Sequence, residues 1–344
     1  MATFSMSQWM TAMKEQSIGH SERLQEAIEA DLTKWERLKK LNEIIELPID
    51  IHTHFSAADV ISLSQNVKNF FSQYKNARFS IKAEPVEECK EQLPRHRQHG
   101  ITQQQCVDFV RLLKPAPEKY AISIWEYFDS TLSGTIVVSK EQIIVEAVEG
   151  SHSILTQGFQ GNVVQARHDF KNLNISDERL RPVVQQAIDA LRCTDCSVPI
   201  TNGFVAGYFE FLHCEKGFRF IDYNTTPMMS VVDVKHVDGV LNGMMASNGS
   251  CKGRVCVVHD EKDCLKVKKG DVLVTPMTDP SFVPLLTKVV GIITDFGGVT
   301  CHAAIIAREL RIPCIVGTGD ATQVLKDGDM IEVKEGKVLK LSLV

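Results

Sequence analysis

Between residues 7 and 46, apolar side chains recur at three- and four-residue spacing among many charges (Trp9, Met13, Leu24, Ile28, Leu32, Trp35, Leu38, Leu41, Ile44, Ile45). Two amphipathic helices, each burying one face, account for that pattern. The period then shortens. Apolar β-type runs at 79–81 and 121–125, followed by TIVVS and QIIVEAVEG, predict antiparallel strands with turns at Gly134 and around 139–141. Residues 176–192 return to a helical pattern, with Pro182 close to its start.

The segment FVAGYFEFLHCEKGFRFIDYNTTP (204–227) reads as a β-hairpin. One strand carries Glu210, a turn falls at 215–217, and the second strand carries Asp222 and Asn224. Alternation places Asp222 and Asn224 on one face, and antiparallel pairing can bring Glu210 to them. Oxygen donors of this kind suit Mg²⁺, which takes one or two carboxylates together with substrate phosphates.

Further on, GIITDFGGVTCHAAIIARELRIPCIVG (291–317) places one histidine where a glycine turn runs into a helix. Residues 289–294 predict a buried strand, Gly297 and Gly298 a tight turn with positive φ, and 301–311 a helix stopped before Pro313. His302 then sits in the first helical turn, where unpaired N–H groups and the helix dipole favour an anion. A neutral imidazole nitrogen is also a good nucleophile, which makes His302 a candidate phosphoryl carrier.

A length of 344 residues with 44% hydrophobic composition supports two domains. The formal net charge of −5, with acids and bases interspersed, argues against a nucleic-acid partner. Ten cysteines without a dense framework, no signal-peptide pattern and no apolar run long enough for a membrane predict reduced thiols in the cytoplasm. Cys193 and Cys196 form one CxxC, half of a zinc site or a redox pair, and no second pair follows at a matching spacing. His52 and His54 in IDIHTHF read as histidines at the end of a short strand, because too little chain follows for a metal-dependent barrel of eight βα units.

From about residue 249 to the end, including VLVTPMTDPSFVPLL (272–286), the chain resembles the phosphohistidine swivelling domain of the PEP-utilising enzymes, the group of PEP synthase, pyruvate phosphate dikinase and rifampin phosphotransferase. The resemblance implies that His302 is phosphorylated, with Thr300 and Cys301 flanking it, Gly297 and Gly298 in the turn before it, and Arg308 and Glu309 on the helix behind. The hairpin resembles the last two strands of ATP-grasp domains, which implies that Glu210, Asp222 and Asn224 hold the magnesium of MgATP. FSIKAEP (79–85) resembles the strand supplying a basic residue, here Lys82, to the ATP phosphates. WEYFDSTLSGTIVV (125–138) resembles the strand beside the adenine pocket, with Glu126 as the adenine contact, and VEAVEGSHSILTQG (145–158) the segment after it. Two departures stand out: no GGK-type glycine loop near the N-terminus, and no PEP/pyruvate barrel.

The expected fold is therefore a two-domain α+β / α/β protein: a helical extension at 1–69, an ATP-grasp-like nucleotide domain at 70–230, a linker at 231–247, and a β/β/α phosphohistidine swivelling domain at 248–344. The family's activity implies an ATP-dependent, dikinase-type phosphotransferase using Mg²⁺ or Mn²⁺, which phosphorylates His302 with release of AMP. The phosphoryl group then passes to an acceptor, a small molecule or a partner protein. The rival readings are a PEP-linked phosphohistidine carrier and a non-catalytic regulatory or binding protein, the latter favoured by the missing glycine loop.

Overall fold

The computed structural model describes residues 33–341 except 75, 90–92, 115, 151–162, 195–196, 226–235, 238–240, 242, 261, 279–281, 287 and 335–336. The first of the two expected N-terminal helices, much of the linker and most of 145–158 lie outside the described residues. The architecture is mixed α+β, built on three sheets of four, six and eight strands with one two-stranded ribbon.

The chain enters through α1 (Lys34–Ile45), whose Leu38 and Leu41 are fully buried. β1 (Thr53–Ser56), α2 (Ala57–Ser62), α3 (Gln65–Ser72), β2 (Arg78–Pro85), β3 (His96–Ile101), α4 (Gln103–Arg111) and β4 (Tyr120–Tyr127) follow. The segment through residue 69 is thus not helical throughout, since β1 pairs with β4 at the edge of an antiparallel sheet of order β1-β4-β2-β3. Alternation drives one face of that sheet (Phe79, Ile81, Ala83, Ile122, Ile124) against the apolar sides of α2, α3 and α4. A capping box starts α4: Thr102 accepts from Gln105 N while the Gln105 side chain accepts from Thr102 N.

Next come β5 (Leu132–Val138), β6 (Ile143–Glu149), β7 (Val164–His168), β8 (Leu173–Ile175), α5 (Arg181–Asp189), the ribbon β9 (Ile200–Thr201) and β10 (Phe204–Val205), and the expected hairpin β11 (Gly207–Cys214) and β12 (Gly217–Asn224). The six longer strands form an antiparallel sheet of order β12-β11-β5-β6-β7-β8. The strands read together from sequence therefore divide between two sheets. One face of the six-stranded sheet carries Ile136, Val145, Ala147, Phe209, Phe211 and Phe220 and is covered by α1 and by Val184, Ala187 and Ile188 of α5. Gly134, expected at a turn, lies inside β5. A Cβ there would stand 2.4 Å from the Phe211 ring, so the glycine serves close packing rather than chain reversal.

The rest of the chain folds as β13 (His236–Val237), β14 (Gly243–Ser247), β15 (Cys251–Val257), β16 (Val272–Thr275), α6 (Val283–Leu286), β17 (Gly291–Thr294), α7 (His302–Leu310), β18 (Cys314–Val316), α8 (Ala321–Val324), β19 (Met330–Lys334) and β20 (Lys337–Lys340). β15 to β18 run parallel in the middle of the eight-stranded sheet, with antiparallel strands on both flanks. Leu273 and Ile292 face α7, while Val272, Val274 and Ile293 face α8, Ile331 and Val333. Ile144 of β6 joins the core on the α7 side, so the six-stranded sheet packs directly on this unit. Eight described cysteines are free, as expected of reduced thiols. Cys193 departs from that expectation, being disulfide-bonded.

Candidate functional site

The polar face of the six-stranded sheet opposes the one that carries the phenylalanines. Cross-strand register places Asp222, Glu210, Thr135, Glu146 and Gln165 directly opposite one another across five strands, and hence in a single row. A register shift after Glu210 re-aims the end of the hairpin, so that Asp222 and Asn224 both point to this face while Phe220 points to the core. Asn224 lies opposite Tyr208, whose hydroxyl donates to Glu210 Oε1 at 2.8 Å. Burial, then the nearby charges of Glu210 and Asp222, push the Tyr208 phenol well above its ordinary range. Tyr208 therefore acts as a neutral donor to the Glu210 carboxylate.

The His302 loop docks on this row. β17 delivers the chain into Gly297, whose φ of 102° only glycine adopts readily, and α7 begins at His302 with Cys301 as its N-cap. Val299 N donates to Glu146 Oε1 at 2.8 Å; Thr300 N and Thr300 Oγ1 donate to Glu146 Oε2 at 3.0 and 2.5 Å. The single proton of Thr300 being spent on Glu146, the 3.0 Å contact between Thr135 and Thr300 is a donation from Thr135. Burial pushes the Glu146 carboxyl up; the donors Thr300 and Val299 and the charge of Arg308 oppose that rise.

Around His302 itself, Thr278 Oγ1 lies 2.9 Å from Nδ1 in a buried contact. In the tautomer whose Nδ1 proton Thr278 accepts, the imidazole lone pair falls on Nε2. Arg308 donates to the carbonyls of Ala246 and Val299, bracing the loop from behind. Cys301 packs in the core, and burial raises its thiol to about 11, which leaves no thiolate beside the histidine at neutral pH. Gly298 approaches the sheet so closely that a Cβ would stand 2.2 Å from Glu146 Oε1.

The residues expected at the phosphates and the adenine, Lys82 and Glu126, lie on the four-stranded sheet rather than on this row. Lys82 is on the polar face of the four-stranded sheet, 2.8 Å from Glu84, with Arg95 bridging the same carboxylate at 3.5 Å. Burial, the largest influence, lowers the Lys82 ammonium, against the pull of Glu84. Glu126, at the end of β4, pairs with Lys216 at 3.0 Å. Beside it, His52 is stacked between Trp35 and Trp125 at 3.9 and 4.1 Å, and burial drops it to about 3, so the ring is neutral. Glu146, Thr135, Thr278 and Tyr208 were not singled out from sequence. The glutamate left one signal, a charge in the middle of the apolar run IIVEAV.

Among the described residues no group of three or more histidines, cysteines or acids is placed around a common metal position. Glu210 and Asp222 are two carboxylates set directly opposite each other, an arrangement of like charge that a cation would stabilise. With the Asn224 amide on the same face, the donors fit a hard cation that completes its shell with phosphate or water.

Residues 267–336 match the family described as PEP-utilising enzyme, mobile domain. A 101-residue stretch is 48% identical to a probable phosphoenolpyruvate synthase of Methanothermobacter thermautotrophicus, covering 29% of this chain and 15% of that protein. An 81-residue stretch is 54% identical to phosphoenolpyruvate synthase of Escherichia coli K12, covering 24% and 10%. The residues around His302 are thus similar to the mobile domain of the PEP-utilising enzymes, and the chain spans only a small part of the relatives it matches. Among solved structures, the ATP-grasp ligase PsnB complexed with minimal precursor, Mg and ADP aligns over 65% of this chain and 59% of that one, at 12% identity and a TM-score of 0.31, too low to carry an argument. Among the described residues no helix is long and apolar enough to cross a membrane.

Proposed function

We propose that this chain is an ATP-dependent, dikinase-type phosphotransferase that phosphorylates His302, releases AMP, and passes the phosphoryl group to an acceptor. The observation that carries the reading is the row Asp222, Glu210, Thr135, whose last member hydrogen-bonds Thr300, two residues before His302. Oxygen ligands for a nucleotide-bound cation and a nucleophilic histidine loop thus share one sheet face. Phosphoryl transfer asks little covalent chemistry of a protein beyond positioning and charge stabilisation.

Glu210, Asp222 and Asn224 would hold Mg²⁺ or Mn²⁺, which when bound offsets charge on the nucleotide phosphates. Lys82 would meet those phosphates from the four-stranded sheet, and Glu126 would border the adenine. Thr278 fixes the ring so that Nε2 attacks the β-phosphorus of ATP; the bond to the oxygen bridging the α- and β-phosphorus breaks and AMP leaves with the electron pair. The terminal phosphate is then lost to water or another acceptor, leaving one phosphoryl group on nitrogen. The mobile-domain match and the relatives named phosphoenolpyruvate synthase support a carrier histidine. Incubation with MgATP followed by mass spectrometry under conditions that preserve phosphohistidine tests the reading. Modification at His302 with AMP as co-product is expected; an unmodified His302 overturns it.

A further inference from the structure

A carboxylate in the middle of an apolar strand is unfavourable unless donors satisfy it, and Glu146 is 1% exposed on β6 between Val145 and Ala147. All three donors with which it hydrogen-bonds, Val299 N, Thr300 N and Thr300 Oγ1, come from one loop more than 150 residues away, on another sheet. They lie immediately before the N-terminus of α7, in the kind of oriented N–H array that elsewhere cradles phosphate. Gly298 permits the approach, since a Cβ there would overlap the carboxylate.

We propose that Glu146 is the positioning residue that seats the unphosphorylated His302 loop on the six-stranded sheet, filling with its own carboxylate the donors that the loop offers to an anion. The proposal rests on the transfer to His302 set out above and adds how the loop is brought to it and released. Seated, the loop lies beside Thr135, next in the row to Glu210. A phosphoryl group on His302 places a dianion two residues beyond the Thr300 donors that Glu146 holds, and those donors can turn to that anion instead. Like-charge repulsion then favours the phosphorylated loop away from the sheet. Glu146 thus acts through the loop, and docking and phosphate seating compete for the same groups.

Two variants test this from opposite sides of the contact. Glu146→Gln keeps the shape but presents one accepting oxygen and an NH₂ group to donors that need two. Gly298→Ala leaves Glu146 in place and pushes a methyl group into it. Each is treated with MgATP and, separately, with phosphoramidate, a small donor that labels exposed histidines without any nucleotide site. Both variants should lose roughly tenfold in the rate of ATP-dependent labelling at saturating ATP with KM for ATP nearly unchanged, and should gain roughly severalfold in phosphoramidate labelling of His302. Misfolding would also expose the buried His302 to phosphoramidate, so the comparison is made only on variants whose circular dichroism and melting temperature match the wild type; if Glu146→Gln does not fold, Gly298→Ala decides alone. Phosphoramidate labelling that stays at the wild-type rate in a folded variant overturns the proposal. Wild-type protein that takes no label from ATP refutes the transfer reading, whereas the phosphoramidate comparison still decides whether Glu146 seats the loop.

Discussion

The two larger antiparallel sheets each bury one face and present a polar one, yet the polar faces differ in sign and in what they meet. On the six-stranded sheet the row is acidic, and its buried glutamate is satisfied by backbone donors of the His302 loop. On the four-stranded sheet the face carries Lys82, Arg95 and Arg97 with the Trp35–His52–Trp125 stack nearby, and the carboxylate of Glu84 is held by Lys82 and Arg95. Burial lowers Lys82 and leaves Glu146 raised, so each face strains the charge it carries and gains from a ligand of opposite sign. An acidic face suits a cation and N–H groups; a basic, aromatic face suits phosphates and a flat ring.

The largest expected effect falls where the acidic face meets the loop. His302→Ala should abolish acid-labile labelling from ATP while leaving the melting temperature near that of the wild type; label persisting at another residue would break the comparison. Next come Glu210→Gln and Asp222→Asn, which should each slow labelling by about 100-fold and weaken the dependence on Mg²⁺. Calorimetry showing unchanged MgATP affinity together with unchanged labelling would make the hairpin structural. Lys82→Ala should weaken ATP binding by about tenfold, or ~1.4 kcal/mol, because one partly neutralised cation of the basic face is lost. An effect as large as that at Asp222 would erase the distinction between the faces.

The smallest effect is on stability against pH. His52 is held at about 3 in the fold, against 6.5 for an ordinary histidine, so its contribution is present above pH 6.5 and is lost as the pH falls. Asp50, raised to about 6 chiefly by burial, works the other way and gains stability as the pH falls from 6 towards 4. At about 1.4 kcal/mol per pH unit for each group, moving from pH 6.5 to 5 costs about 2 kcal/mol at His52 and returns about 1 at Asp50. Chemical denaturation at the two pH values should show a net loss of ~1 kcal/mol or less once solvent screening is allowed for, and His52→Phe should reverse its sign.

How much of this was legible in sequence follows from the range of the interactions. The strand, glycine turn and helix around His302 are local, and 291–317 folds much as its pattern implied, with Gly297 at positive φ. The hairpin was equally local, although the register shift that sets Asp222 opposite Glu210 was not. Gly134 was misread because a glycine between strand-forming residues signals either a turn or a close approach, and only the Phe211 ring across the sheet distinguishes them. The division of similar strands between two sheets left no mark on their periodicity. Glu146 escaped because its meaning depends on Val299 and Thr300, and no spacing rule joins a mid-strand glutamate to a distant loop.

The most direct measurement follows a single turnover of the wild-type protein with Mg²⁺ and ATP labelled, in parallel samples, at the β- and γ-phosphate. Chromatography of the nucleotides and mapping of the protein-bound label are then combined. The account predicts AMP as the nucleotide product and β-derived label on His302; ADP as the sole product, or no label on His302 from either position, would contradict it.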